Sequence, residues 1–283
     1  MATIPSRESR VVGGSGYNSG VDFPQALREQ RTRRRLSQLD LAVRAGTSQR
    51  YVSFIESGRS RAGRGMVVRL AESMELPLRE RNELLVLAGF APAYPESRLD
   101  ATGIGPVRAA MEHILTGHLP YPAVVVDRYG DLVAANPAFA LITGEISDPA
   151  LLEPPTNVYR LALHPHGISP RIVNFDVWAQ HILEGLRRAG LLDPAPDSRA
   201  ARLYAELSPF VPPRPTGADH LGFAVPLELR SDAGPLRLLT TVTTFATALD
   251  VTVAELRLEA FLPADEATAA ALLRHEQQRV RTR

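Results

Sequence analysis

The sequence predicts two domains, an all-α bundle at the N-terminus and an α+β domain built on a five-stranded antiparallel sheet. Three observations carry this. Between Asp22 and Ala91, short amphipathic helical patterns alternate with glycine-containing turns. After Gly105, two strand patterns precede a helical excursion and three follow it, an order that suits an antiparallel sheet with helices on one face. The 283 residues allow about two domains of ordinary size. The expected boundaries are a flexible tail over 1–21, a first domain over 22–91, a linker over 92–105, a second domain over 106–264, and a C-terminal helix or tail over 265–283.

The first domain opens with Phe23, Ala26 and Leu27 on one helical face, running into Arg33-Arg34-Arg35. Ser37 then stands three residues before Asp40, the spacing of a capping box, and begins a helix expected to carry Leu39, Ala42 and Val43 inward. Ala45-Gly46 stops that helix. Ser48 caps the next, Gln49 to Glu56, which ends at Ser57-Gly58. There Val52 and Ile55 face the core, leaving Gln49, Arg50, Ser53 and Phe54 to project outward. Met66, Val67, Leu70 and Ala71 form a fourth stripe, and Leu84, Leu85, Leu87 and Ala88 a fifth, started by Pro77 and closed by Gly89.

Charge separates the two halves. Every one of the 32 basic residues is arginine, and the formal net charge is only +1. Residues 22–69 nevertheless hold 11 arginines against four acids, whereas residues 70–283 hold 19 against 26. A basic block ahead of a mildly acidic body is the asymmetry expected when one domain touches phosphate and the other does not.

Two short helices joined by a glycine turn form a helix-turn-helix, whose second helix enters the major groove of duplex DNA. The segment LSQLDLAVRAGTSQRYVSFIESGRS resembles the lambda-repressor or Cro type, often called the XRE family. In the first turn of the second helix, capped by Ser48, Arg50 suits guanine O6 and N7 and Gln49 suits adenine N6 and N7. Ser53 can donate to a base or a phosphate, and Phe54 can press on a thymine methyl. The resemblance implies that Gln38 holds a backbone phosphate. Arg34, Arg59 and Arg61 are phosphate candidates from charge and position. Tyr51 either stacks on the backbone or packs.

In the second domain, a helix with Val107, Met111, Ile114 and Leu115 on one side precedes a buried strand over 121–127. Tyr129-Gly130-Asp131 turns the chain into a return strand over 132–136. After the helical excursion, Phe223, Val225, Leu227 and Leu229 alternate along a third strand. Ser231 to Gly234 supplies a hairpin, 236–245 a fourth strand, and Leu256, Leu258, Ala260 and Leu262 a fifth.

The passages YPAVVVDRYGDLVAANPAFA, NVYRLALHPHGISPRIVNFDVWAQHIL and LRLLTTVTTFATALDVTVAELRLEAFLPADEATAAAL resemble a PAS domain, and more narrowly the MmyB-like ligand-binding domain that follows an XRE helix-turn-helix in a group of bacterial regulators. The resemblance implies a cavity between sheet and helices that accepts an apolar, fatty-acid-like molecule, with no cofactor required. Ala135 stands before Asn136 where the family pattern has Trp, a departure expected to alter pocket volume.

Candidate ligand contacts follow. Arg160, Arg171 and Asn174 flank a His164-Pro165-His166-Gly167 loop, and arginine can clamp a carboxylate bidentately; the alternative is a structural hydrogen-bond network. Trp178, Phe139, Phe223 and Phe245 are either cavity wall or packed core. His164, His166 and His181 lack the spacing of a zinc helix and are expected to be loop histidines rather than metal ligands.

Catalysis has no motif to rest on: G-x-S-x-G, P-loop and dinucleotide fingerprints are all absent. No cysteine is available for disulfides or thiolates, and no apolar run reaches the roughly 20 residues a membrane span needs. These features read as a soluble, cytoplasmic regulator with no membrane partner. It is expected to bind double-stranded DNA as a homodimer on a palindromic operator and to take a small apolar ligand in the second domain. The alternative is a DNA-binding protein whose second domain docks a protein instead.

Overall fold

The computed structural model describes residues 21–99, 104–192, 198–213, 225–245 and 247–282. All of the expected tail over 1–21 except Val21, and the candidate Phe223, lie outside them. The chain divides into two units, Met1–Ala93 and Tyr94–Arg283.

Among the described residues the first unit has five helices: α1 Phe23–Arg33, α2 Gln38–Arg44, α3 Gln49–Glu56, α4 Arg64–Ser73 and α5 Leu78–Leu87. Local chemistry sets their ends. Ser37 and Asp40 form the reciprocal capping box, with Asp40 N donating to Ser37 Oγ at 3.0 Å and Ser37 N donating to Asp40 Oδ2 at 2.8 Å. The Ser37 hydroxyl, which donates to Asp40 Oδ2 at 2.6 Å, and the Ser37 amide together hold the Asp40 carboxyl below the usual carboxylate range. Gly46 and Gly58 sit at φ +61° and +72°, the left-handed conformation that a helix exit requires. The amide after each glycine then reaches back to a last-turn carbonyl, Thr47 to Ala42 and Arg59 to Phe54, both at 2.9 Å.

Leu27, Leu41, Val52, Ile55, Val67, Leu70 and Leu85 make the core. The expected inward set of α2 is corrected in part: Ala42 is buried as expected, but Leu39 is 54% exposed and Val43 71%, and Leu41 is buried in their place. With only seven residues, α2 has two turns to define a face, and contact with both α3 and α4 rotates it by one position.

A charged network crosses this core. Arg31 Nε and Nη2 donate to Glu56 Oε1 and Oε2 at 2.6 and 2.9 Å, and Arg31 Nη1 donates to the Leu36 carbonyl at 2.7 Å. Gln38 Nε2 adds a bond to Glu56 Oε2 at 2.9 Å. α1, α2 and α3 are thereby tied to one carboxylate whose side chain is almost fully buried.

The second unit carries α6 Gly105–Gly117, β1 Ala123–Val126, β2 Leu132–Ala135, α7 Ala140–Thr143, α8 Val158–Leu163, α9 Phe175–Leu192, α10 Arg199–Leu207, β3 Leu227–Leu229, β4 Leu236–Thr244, α11 Val251–Glu255, β5 Arg257–Pro263 and α12 Glu266–Arg281. The five strands are antiparallel in the order β2-β1-β5-β4-β3. Period-two alternation divides the sheet into two faces. Val124, Val126, Leu236, Leu238 and Phe261 pack with the helical excursion and with Ala271 and Leu272 of α12. Ala123, Val125, Leu258 and Ala260 pack with Met111 and Leu115 of α6.

Helices therefore cover both faces, not one. The α6 stripe of Met111 and Leu115 has to be buried somewhere, and the β1–β2–β5 half of the second face receives it. Asn136, itself buried, fastens α6 there: Nδ2 donates to the Leu115 and Tyr121 carbonyls at 3.1 and 2.8 Å, and Oδ1 accepts from Ala123 N at 3.1 Å. The segment expected as a linker is docked where it is described: Pro95 O accepts from Val251 N and Ser97 N donates to Asp250 Oδ2. α12 belongs to the body of the domain and is not an appended tail. No helix among the described residues is long and apolar enough to cross a membrane.

The Arg31–Glu56 pair yields a stability prediction. Removing one partner of a buried ion pair strands the other charge, which costs about 3–5 kcal/mol. Glu56→Ala should lose that much in urea unfolding, whereas the paired change Arg31→Met with Glu56→Leu should recover most of it.

Candidate DNA interface and ligand cavity

α3 presents its first turn to solvent. Ser48 Oγ accepts from Tyr51 N at 3.2 Å, which fixes the start of the helix, and Gln49 and Arg50 are exposed directly after it. The Arg50 guanidinium lies 5.2 Å from the Phe54 ring centroid, an i, i+4 contact that props one side chain against the other. Ser53 and Phe54 are half-buried on the same helix, and Arg59 and Arg61 are exposed in the segment after it. Gln49, Arg50, Ser53, Phe54, Arg59 and Arg61 thus share one helix and its exit.

Two further candidates have internal partners. Arg34 donates to Gln30 Oε1 at 2.6 Å and pairs with Glu80 of α5 at 3.1 Å. Gln38 sits at the start of α2, and its Nε2 is engaged by Glu56.

The second unit contains a cavity of about 380 Å³ between the sheet and α7, α8 and α9. Phe139, Ile142, Trp178, Ile182 and Phe261 give it an apolar wall. Phe139 and Phe261 stack with centroids 6.3 Å apart. Gly185 lines it from the middle of α9, and a Cβ built there would meet nothing within 4 Å. A mid-helix glycine costs about 0.5–1 kcal/mol relative to alanine, so this position gives up stability and leaves open volume.

The cavity also has a polar end. Arg257 and Glu259 of β5 and Tyr159 of α8 all line it. Arg257 Nη2 donates to the Asp127 and Arg128 carbonyls at 3.2 and 3.3 Å and to the Tyr159 hydroxyl at 3.2 Å. Burial pushes the Tyr159 phenol up, so it stays protonated at neutral pH. Burial also pushes the Glu259 carboxyl up, against the opposing pull of Arg257.

Of the residues singled out from sequence, Phe139 and Trp178 reach this cavity. Phe245 packs on the other face of the sheet, with the α6 cluster. Arg160 forms a fork with Glu206, at 2.6 and 2.7 Å. Arg171 is buried and donates to the carbonyls of Leu141, Ile142 and Arg230, and Asn174 bonds Pro226 O and Glu228 N. Arg171 and Asn174 staple the excursion to β3 and its exit, Arg160 ties α8 to α10 within the excursion, and none of the three lines the cavity. Ala135 is exposed at the end of β2 and does not line it either, so the altered volume expected from this position is not found.

His164 and His166 lie 5.4 Å apart, with His164 edge-on to Phe210. His181 faces the cavity from α9 and so does not join them. Among the described residues, no group of three or more His, Asp or Glu could hold a metal ion. Arg257, Glu259 and Tyr159 were not legible as site residues. The one signal was a pair of opposite charges on the second phase of an alternating strand.

A helix-turn-helix unit joined to an α+β body with a cavity between its sheet and helices defines the class, a DNA-binding transcription regulator with a ligand-binding domain. The comparisons agree. Residues 107–274, more than half the chain, match the MmyB-like transcription regulator ligand binding domain, and residues 27–81 match a helix-turn-helix family. The chain belongs to the MmyB-like transcription regulators. No curated protein matches it. Among solved structures it is similar to the restriction-modification controller protein C.AhdI from Aeromonas hydrophila, at 35% identity over 23% of this chain and 98% of that one, with a TM-score of 0.21.

The cavity generates two predictions. Gly185→Ala should raise the stability of the ligand-free protein by about 0.5–1 kcal/mol, read by thermal unfolding, because the new methyl enters open space. For Glu259 the folded-state value lies above the unfolded one near 4.3, so the unfolded chain ionises first and stability falls as pH rises through the folded value. Glu259→Gln should therefore raise the melting temperature at pH 8 and leave it essentially unchanged at pH 4.

Proposed function

We propose that this regulator senses a small amphiphile of the fatty-acid type and changes its affinity for a palindromic operator in response, binding DNA as a homodimer. The observation that carries the reading is the cavity in the second unit, with an apolar wall and a polar end. Its volume falls within the ~300–1,000 Å³ of small-molecule sites, and a few polar groups in an apolar lining are what such sites use to orient a ligand. The DNA end rests on the exposed first turn of α3. One short recognition helix reads only a few base pairs, so two copies on half-sites about 10 base pairs apart, or a multiple of that, supply the remaining specificity.

The test uses the full chain on its own operator, found by selection from random duplexes. Gln49→Ala and Arg50→Ala should each cost about 1–3 kcal/mol of specific binding and relax base preference locally. Arg59→Ala should weaken all duplexes alike and flatten the salt dependence. Adding dodecanoate should change operator affinity by roughly 5–150-fold, the usual range for coupled sites. Light scattering of the complex should give two chains per operator. Unchanged operator affinity at saturating dodecanoate would exclude the sensor reading.

A further inference from the structure

The sheet of the second unit covers its strand edges in two places and leaves a third bare. An uncovered edge presents unpaired N–H and C=O groups, a template for another strand. At β3, Val173 N donates to the Glu228 carbonyl at 2.7 Å and Arg230 N to the Arg171 carbonyl at 2.9 Å, so the excursion covers the outer side. At β2, Leu132 N donates to the Thr156 carbonyl at 2.8 Å and Asp131 bridges to Asn157. β4 differs. Along one side it pairs with β5 from Leu238 to Thr244, but along the other β3 reaches only Leu236 to Leu238. Among the described residues, no strand pairs with 239–244 on that side.

This open half also lacks the guards that edges usually carry. From Leu238 to Leu249 there is no charged residue, no proline and no glycine. Thr240, Thr241, Val242, Thr243 and Thr244 are all exposed, Val242 at 57%. All five are β-branched, which suits a strand with a neighbour on each side.

The order of these residues says which neighbour fits. Thr240-Thr241-Val242-Thr243-Thr244 reads the same in both directions, so a two-fold axis through Val242 sets an antiparallel copy in register with itself. Thr240 then faces Thr244 of the second copy, Thr241 faces Thr243, and Val242 faces its own counterpart. Threonine pairs hydrogen-bond across strands. One step further out Leu239 faces Phe245, an apolar pair whose members are each half-buried in the single chain. Under two-fold pairing a charge on this edge would meet the same charge on the copy. A neutral edge therefore complements itself, and it offers nothing to a strongly basic or acidic partner.

We propose that the 239–244 edge of β4 pairs antiparallel with the same edge of a second copy, joining two sheets into one. This rests on the reading of the protein as a homodimer on its operator and names the surface that joins the second domains. A pair of six-residue strands buries less than the ~1,200 Å² of a stable free interface, so the contact is weak alone. It forms where one operator already holds two chains and the second contact becomes intramolecular. Thr240 and Val242 also line the cavity, which places the second copy at its rim.

The chain has no cysteine, so an introduced thiol reports on one position. Directly opposed residues of an antiparallel pair have Cα atoms ~4.5–5.5 Å apart, within the range that a disulfide bridges. On the full chain bound to its operator, mild oxidation should turn Val242→Cys into a covalent dimer. Thr240→Cys alone should stay unlinked, because its counterpart lies four residues away along the strand, and Thr240→Cys combined with Thr244→Cys should link. All three positions are exposed, so the variants leave the core intact. Val242→Asp should weaken operator binding by about fivefold, the effect of like charges set directly opposite, and leave binding to an isolated half-site unchanged. Two chains per operator without a link through Val242→Cys overturns the edge pairing and spares the homodimer; the edge is then met otherwise, residues 214–224 of the same chain included. Equal linking by Thr240→Cys alone overturns the two-fold register, and undiminished operator binding by Val242→Asp overturns the pairing. One chain per operator overturns the homodimer reading beneath it.

Discussion

The second domain depends on the alternation of one strand. β5 lies between β1 and β4, with a neighbour along each edge, and both of its faces are covered. Leu258 and Ala260 point to the layer that α6 closes, and Arg257, Glu259 and Phe261 point to the cavity. Its pairing with β4 sets Thr240 beside Phe261 and Val242 beside Glu259, and its pairing with β1 sets Val124 beside Glu259. A slip of one residue would exchange the two sets and drive two charged side chains into the tight layer beneath α6. Register is thus enforced by the cost of misplacing charge as well as by apolar burial. The polar end of the cavity is thus set by the phase of a central strand.

Arginine does a second kind of work across the chain. Arg31 reaches the Leu36 carbonyl, Arg171 reaches three carbonyls and Arg257 two, each with donors left for another partner. A planar fork of five N–H groups can tie loop carbonyls together in this way, and a single ammonium cannot match the geometry. A chain that uses arginine for all its cations therefore spends part of its basic block inside the fold. Arg31 and Arg34 are committed to Glu56 and Glu80. The excess positive charge of residues 22–69 consequently overstates what is free to meet phosphate, and the exposed Arg50, Arg59 and Arg61 carry that part of the argument.

What the sequence made legible follows the range of the interactions involved. The capping box at Ser37 and Asp40 and the glycine exits at Gly46 and Gly58 are local, so the helix-turn-helix could be read residue by residue. The five strands were legible as alternating or apolar runs. The phase of α2 was not, because a seven-residue helix takes its orientation from α3 and α4, which its own pattern does not encode. The polar end of the cavity was missed for a related reason. Charged residues at every second position of a strand look solvent-facing until the strand is known to be central, and centrality comes from pairing partners about 130 residues upstream at β1. Arg160 and Arg171 drew attention because they flank a histidine loop, yet their acceptors belong to α10, to carbonyls of α7 and to the residue after β3.

The proposed regulation sets a thermodynamic condition on the cavity. A ligand shifts an equilibrium between two arrangements only by the difference in its affinity for them, so strong binding alone changes nothing. Differential affinity needs groups whose satisfaction depends on the conformation around them. The Arg257 Nε–H, the Tyr159 hydroxyl and the Glu259 carboxyl are of this kind, since each is costly when buried alone and favourable when met. They sit where β5, the turn after β1 and α8 converge, so displacing any one of these elements alters how these groups are met. An apolar wall by itself would bind a chain almost equally well in slightly different shapes, because dispersion and burial tolerate small displacements. Hydrogen bonds to a charged head fall off steeply with distance and angle. In the proposed sensor the polar end, more than the larger apolar wall, is therefore where a ligand discriminates between conformations.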